Sequence, residues 1–358
     1  LRLALAGVQA RQVLGAALIA IPMSRVMAAH GRRPGLVLGY ALASAGAVGL
    51  ITAGVIRSFP LLLVASVLFG GATASNSQAR YAGADLALPQ HRARDLSIVV
   101  WATTVGSVIG PNLVGPSTPV AEALGLPVLT GPFLSSLLGL VRAIAVIVWR
   151  LRPDPLIEAR RRRVADGDDS GPAHGSVTRG LRVAAGIPPA RLGMLTLALG
   201  HVVMVSVMVM TPLHMNHGGA DLEVIGFVIS IHILGMFAFS PLTGLAVDRF
   251  GGRAVAVLGS VILSAAALLA SASPEGESLT LLLGLFLLGL GWSCTLVAGS
   301  TLLTAAVPAH ERPGAQGASD LLMGLMAAGG GALAGVVVHQ VSFEALALAA
   351  LAVAVSIG

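Results

Sequence analysis

An all-α polytopic membrane protein, built as two helical bundles, is the fold this sequence predicts, and three observations predict it. Hydrophobic residues make up 55% of the 358 positions and charged residues only 11%, and the mean hydropathy is +0.88. Soluble domains of this size do not combine such values. Apolar stretches of about 20 residues recur along the chain, each long enough to cross the hydrocarbon of a bilayer as a helix. The alternating segments of an outer-membrane barrel are missing, which excludes that class. One long polar segment, Arg150 to Arg191, parts the apolar stretches into two sets.

Eleven spans follow in order. Five precede the polar segment, at 5–24, 35–56, 60–82, 96–117 and 126–149. Six follow it, at 191–213, 222–246, 254–272, 278–300, 313–338 and 342–358. The organisation is a first bundle over 1–150, a linker over 151–190 and a second bundle over 191–358. The linker carries Arg160 to Arg163 in a row, then Asp-Gly-Asp-Asp-Ser-Gly-Pro from Asp166, the composition of a flexible tether. The halves read as repeats: Gly31-Arg32-Arg33 matches Gly251-Gly252-Arg253 at an offset of 220, and Pro89-x-His91 matches Pro308-x-His310 at 219. On that alignment the first half is one span short, and the missing span is expected to precede Leu1.

All 22 basic residues are Arg. Eighteen lie in or beside the linker and the loops on its side, whereas the opposite side offers acids, as in Ser273-Pro274-Glu275-Gly276-Glu277. Topology accounts for this better than nucleic-acid binding does, and it puts the linker in the cytoplasm and the chain in the cytoplasmic (inner) cell membrane. The single Cys294 excludes a disulfide framework within one chain and a Cys-rich zinc site. There is no G-x-x-x-x-G-K loop and no nucleophile–base set, so an enzyme is not expected. The expected partners are the lipid bilayer and a small solute or metal ion. No nucleic acid and no resident cofactor are expected, and the chain is expected to work as a monomer.

Two soft-ligand pairs stand out. Met204 and Met208 lie four apart on one span, His232 and Met236 four apart on the next, so each pair shares a helix face. Thioether and imidazole together suit Cu(I), and an imidazole inside a membrane segment is a functional hypothesis by default. The window 201–236 holds five of the ten Met and four of the nine His. With a rise of about 1.5 Å per residue, two antiparallel neighbours would set Met208, then Met204 beside His232, then Met236 as a descending ladder. His201 on the same stripe, and His214, Met215 and His217 at the outer mouth, are accessory candidates. Against this stands the fact that Met in membrane helices is usually packing.

Other polar groups suggest gating and coupling. Asp320, inside the tenth span, is placed to carry a coupling proton or to pair with an Arg at the cytoplasmic gate. Arg80 and Asp85 flank one end of their span, as an ion pair or a solvated end. Asn76 and Gln78 suit hydrogen bonds across helices, and Arg142 suits snorkelling.

The second half reads Gly244-Leu-Ala-Val-Asp248-Arg249-Phe-Gly251-Gly252-Arg253, which resembles the G-x-x-x-D-R-x-G-R-R motif of the major facilitator superfamily. The first-half copy, Ser24 to Arg33, has Ala28 and Ala29 where that motif has Asp and Arg. The resemblance covers essentially the whole chain. It implies two six-helix bundles, with about eleven of the twelve helices present, and a secondary transporter that rocks about a midplane site. It implies gating roles for Asp248, Arg249 and Arg253, with Asp248 against the amino end of the span near Asp95, and a weakened counterpart in the first half. Gly106, Gly110, Pro111 and Gly115 resemble the antiporter motif of drug–proton exchangers, although such glycines also simply let helices pack closely, the reading favoured. The Arg that those exporters carry in R-x-x-Q-G falls here on Ser66. The Met204/Met208 and His232/Met236 pairs resemble the M-x-x-x-M and H-x-x-x-M of CcoA-type copper importers, a branch of the same superfamily, which implies inward copper transport. A drug or metabolite antiporter, and a transport-inactive or sensory form, are the alternatives.

Overall fold

The computed structural model describes residues 2–167 and 173–358, and the regular structure among them is helical with no strand. The first half runs α1 (Arg2–His30), α2 (Arg32–Ile56), α3 (Phe59–Phe69), α4 (Gly71–Asp85), α5 (Arg92–Asn112), α6 (Val114–Ala123) and α7 (Gly131–Arg150). Two helices lie in the linker, α8 (Pro155–Ala165) and α9 (Val177–Gly186). The second half runs α10 (Pro188–His217), α11 (Leu222–Phe237), α12 (Ser240–Phe250), α13 (Gly252–Ser271), α14 (Leu279–Ala306), α15 (Arg312–Gln340) and α16 (Phe343–Val355).

Among the described residues, eight helical stretches are long and apolar enough to cross a membrane, and Leu14–His30 and Phe343–Val355 are apolar but shorter. Eleven spans were expected. The fourth, 96–117, is instead two helices, because Pro116 cannot donate to the carbonyl of Asn112 and its ring crowds that carbonyl, so α5 stops there. Proline also sets the break between α11 and α12: Pro241 stands four residues after Phe237, the last residue of α11. Pro22 occupies the matching place in α1. The repeat is visible in the backbone as well. Gly31 opens α2 with φ +98° and Gly251 opens α13 with φ +87°, a region that favours glycine.

The chain divides into two compact units. One comprises Leu1–Leu86, Val108–Gly186 and Val307–Leu325; the other comprises Ala87–Ser107, Ile187–Ala306 and Met326–Gly358. In the first, α2 packs on α3 and α7, and a core that includes Met23, Met27, Leu36, Ala74 and Leu156 joins α1, α2, α4 and α8. Part of the expected tether is ordered in this unit. Asp154 caps α8 by accepting from Leu156 N at 3.0 Å and Ile157 N at 3.2 Å, with Pro155 in the first turn and Glu158 following. The stretch 168–172 lies outside the described residues.

In the second unit α14 is the axis. Helices α10, α11 and α13 each lie along it, and glycines set the approach. A Cβ at Gly193 would stand 2.6 Å from the backbone of Gly299, one at Gly235 2.4 Å from that of Phe286, and one at Gly289 2.3 Å from the carbonyl of His232. With no side chain in the way, backbone meets backbone.

Candidate functional site

The first unit holds a buried charge network. Arg32, the first residue of α2, is fully buried. It forks onto Asp85 at the end of α4, Nε to Oδ2 at 2.7 Å and Nη2 to Oδ1 at 3.1 Å. Its Nη1 also donates to Gln78 Oε1 at 3.2 Å, and its Nη2 to Gln316 Oε1 at 2.7 Å. Gln78 then continues the chain, because its Nε2 donates to Asp320. Arg80 Nη2 donates to the other Asp320 oxygen at 2.8 Å, and the Arg80 guanidinium lies 4.5 Å from the centre of the Tyr81 ring. Two cations and two anions are thus joined through one amide, with Arg80, Gln78 and Asp320 all buried. Buried charges persist only when paired and hydrogen-bonded, and here each charge is.

Asp320 does pair with an Arg. Arg80 and Asp85 do not pair with each other: five residues apart on α4, they point some 140° apart around the helix, and each finds a partner elsewhere. Two polar atoms of α15 beside this network, Gln316 Nε2 and Ser319 Oγ, are buried without a hydrogen-bond partner among the described residues.

In the second unit the Asp248 carboxylate receives the first-turn N–H groups of α5, Ala93 at 3.0 Å and Arg94 at 2.9 Å. Such N–H groups have no intrahelical acceptor, and an anion at a helix amino end is favoured by the dipole as well. Gly244 permits this approach, since a Cβ there would stand 2.2 Å from Ser97 Oγ. Arg249 lies exposed over the Phe250 ring, and Arg253 is exposed.

The four soft ligands are not arranged as expected. The ladder needs α10 and α11 side by side, but each is laid along α14 and they barely touch. Met204 is buried, one turn beyond Gly200, which meets Thr295 of α14. Met208 is half-buried, and Met236 is half-buried with its backbone against Gly289. His232 is 1% exposed, and its Nδ1 donates to Leu285 O at 2.8 Å. Its Nε2 has no partner among the described residues. His201 Nδ1 accepts from Trp292 Nε1 at 2.9 Å.

The expected ion-collecting mouth differs too. Met215 is fully buried, and His214 stacks on Phe343 at 4.1 Å while its Nε2 lies 3.2 Å from Pro274 O. His214 therefore ties helix ends together, and only His217 is exposed. Among the described residues no three His, Cys, Asp or Glu side chains are grouped to hold a metal.

The glycines of the antiporter-like stretch do not serve close packing. Among the described residues, a Cβ at Gly106, Gly110 or Gly115 would meet no atom within 4 Å. Of Pro111 only the backbone is described, within α5.

Sequence reasoning missed Arg32 and Gln316 as network members, and Trp292 and Phe237 near His201. Phe237 meets Trp292 edge-on at 5.6 Å. The available signals were an arginine opening an apolar span and one of only three Trp lying deep in another.

A model of the Major Facilitator Superfamily matches residues 4–219 and 193–358. The chain is 38% identical over 335 residues to the uncharacterized MFS-type transporter YdeG of Bacillus subtilis, covering 94% of this chain and 77% of that one. It is 29% identical over 343 residues to the riboflavin transporter RfnT of Brucella anthropi, covering 93% and 79%. Among solved structures, the proton:xylose symporter XylE superposes with a TM-score of 0.75 at 13% identity, over 98% of this chain and 85% of that one. That last likeness is one of fold.

Proposed function

The chain belongs to the Major Facilitator Superfamily, and from that premise we propose that it is a secondary-active transporter of a small organic solute. It works in the cytoplasmic (inner) membrane with the 150–191 linker in the cytoplasm, as the distribution of arginines supports. The observation that carries the reading is the network Asp85–Arg32–Gln78–Asp320–Arg80. Buried ion pairs contribute little net stability compared with apolar packing, and ionisable residues inside a span mark transport paths. A proton added to Asp320 would remove the anion that the buried Arg80 faces at 2.8 Å, so the network can couple proton occupancy to the packing of α4 against the first turns of α15. That is a transporter's device, and it supports a working carrier over a transport-inactive form. The riboflavin-transporting relative supports an organic cargo.

Copper takes second place. In its favour is the unpartnered Nε2 of His232, held as an acceptor because Nδ1 donates. Against it, α10 and α11 do not lie side by side as the Met/His ladder requires.

Reconstituting the full chain in liposomes tests both readings. Under an imposed pH gradient, a panel of sugars, vitamins and nucleobases is screened beside radioactive Cu(I). The expected result is gradient-driven uptake of an organic solute, reduced at least about tenfold in Asp320→Asn, which keeps the shape but cannot cycle a proton. Uptake of copper alone would overturn the organic reading, and undiminished transport in Asp320→Asn would remove the coupling role.

A further inference from the structure

We infer that the outer face of α8, with Arg161, Arg162, Ile157 and Val164, is a docking surface for the headgroup of an acidic phospholipid. The inference goes beyond the transport reading and does not depend on the cargo. From Arg150 to Ala165 the sequence holds six arginines and two acids, and the structure leaves much of that positive charge unmatched. Asp154 is spent on four backbone N–H groups, those of Arg32, Arg33, Leu156 and Ile157. Glu158 is shared: its Oε1 accepts from Arg162 Nε at 3.1 Å, and its Oε2 lies 3.6 Å from Arg161 Nη1. Both of those guanidiniums are exposed, as are Arg150 and Arg152. The chain has no lysine, so every such cation is a planar fork that can meet phosphate oxygens two at a time.

The apolar residues of α8 fall into two sets. Leu156 and Ala159 are buried, Leu156 in the core with Met23, Met27 and Leu36. Ile157 and Val164 are instead 42% and 63% exposed. With Arg161 between them they stand at i, i+4 and i+7, on one stripe. A single exposed apolar residue means little. A stripe that sets two of them around an arginine, beside a second exposed arginine, is the pattern of a helix lying in a membrane interface. There the apolar side chains meet the acyl boundary and the arginines meet the headgroups.

The position of α8 supports the same occupant. Asp154 holds its start to the first residues of α2, a helix long and apolar enough to cross a membrane. Arg160 Nη1 donates to Ala28 O at 2.9 Å, in the last turn of α1. The helix is thus fixed at the ends of two apolar helices, the level at which hydrocarbon gives way to headgroups. Trp149, next to the last residue of α7, is 76% exposed, and tryptophan is enriched at that level. Because cap and core order α8 without any lipid, its basic face is preorganised, and binding has little ordering entropy to overcome.

The test titrates the full chain, purified in detergent, with phosphatidylglycerol or with phosphatidylcholine and counts bound lipids by native mass spectrometry. Phosphatidylglycerol should bind at least about fivefold tighter, the worth of one arginine near an anionic surface. That preference should fall by roughly fivefold in Arg161→Gln and further in Arg161→Gln with Arg162→Gln. Arg57→Gln with Arg253→Gln removes two exposed charges elsewhere and should leave it intact. Ile157→Ser with Val164→Ser should weaken both lipids alike. Equal binding of the two lipids by the unaltered chain overturns the proposal, and that measurement needs no variant to fold. A preference that survives in the Arg161/Arg162 variant, or falls equally in the Arg57/Arg253 variant, overturns the assignment to α8. Unchanged binding after the two serine changes overturns the apolar half of the surface. Inorganic phosphate is added against chloride at equal ionic strength, because salt alone screens such contacts. If phosphate displaces phosphatidylglycerol while chloride does not, the face takes free phosphate and the lipid assignment falls.

Discussion

The two copies of the repeated motif, around Gly31 and around Gly251, share a backbone and part ways over charge. In the second copy Asp248 receives Ala93 N–H and Arg94 N–H at the start of α5. The first copy has Ala28 in that place, and its counterpart helix end is the start of α15. There the N–H of Gly314, which matches Arg94 at the repeat offset of 220, donates to His174 O at 3.1 Å. The acceptor is a carbonyl of the linker. His174 N in turn donates to His310 O at 2.7 Å, Ser24 Oγ donates to Gly175 O at 3.0 Å, and Arg179 pairs with Glu311 at 2.6 Å. Small residues make room: a Cβ on Gly175 would stand 2.9 Å from the Ala28 methyl. What the helix end requires is an acceptor, and an aspartate is one way to provide it. In the first copy, where the motif's Asp is absent, a linker carbonyl accepts the bond at this helix end.

The copies also differ at the arginine pair. Arg32 is the hub of the buried network, whereas its counterpart Gly252 packs against Leu302. This asymmetry gives the largest expected effect. Arg80→Ala, which leaves Asp320 buried and unpaired, should cost about 3–5 kcal/mol and abolish transport, read as thermal stability in detergent and as uptake. The double change Arg80→Leu with Asp320→Leu should regain most of the stability and none of the coupling. If the single change proved harmless to stability, the network would not be the closed, dry system that its geometry describes.

A smaller effect separates the caps. The Asp154 carboxylate accepts from Arg32 N and Arg33 N as well as from Leu156 N and Ile157 N, so it caps α2 and α8 together. Asp248 serves two N–H groups. Asp154→Ala should lower stability by about 2 kcal/mol and Asp248→Ala by about 1 kcal/mol. A reversed order in thermal melts would mean that the second copy's aspartate does more than cap.

Much of this architecture was legible beforehand, and the reasons for the misses are physical. The repeat could be read because a glycine at positive φ cannot be exchanged freely, and the position of Asp248 followed from helix-end electrostatics. The partners of Arg80 and Asp85 were partly legible, since five residues apart on a helix is not one face. The Met/His ladder failed for a different reason. Spacing tells which residues share a face of α10 or of α11, but glycines such as Gly193, Gly235 and Gly289 decide that both helices lie against α14. Periodicity within one helix carries no information about which helix is its neighbour. The three-way meeting of His201, Trp292 and Phe237 was hidden for the same cause.

The linker's role in the first copy can be probed by restoring the motif. Ala28→Asp would set a carboxylate where Gly175 crosses α1, beside the carbonyl of Gly175 that now accepts from Ser24. Ser24 Oγ already divides its one hydrogen between Ile21 O and Gly175 O, so the new acceptor finds no donor there and the buried anion would have to displace the linker segment. Limited proteolysis between 173 and 180 should speed up by about tenfold, because cleavage tracks the population of the opened segment, while Asp248→Ala should leave that rate unchanged.

The smallest effect expected is the most specific to the comparison. Arg33 and Arg253 close the two copies of the motif. The Arg33 bond that ties it into the fold runs from its backbone N–H to Asp154 at 2.7 Å, and Arg253 is exposed. Both are one residue past a helix start, where a side chain is not needed to satisfy the orphan N–H. Charges that reach solvent, half-buried at Arg33 and exposed at Arg253, contribute within about 0.5 kcal/mol. Arg33→Gln and Arg253→Gln should accordingly leave the melting temperature where it is, and insertion should keep its orientation, because the many remaining arginines on the linker side still set it. A loss above about 1 kcal/mol in only one of the two variants would show that the copies have diverged at this position as well, and would move that arginine from topology into the machinery.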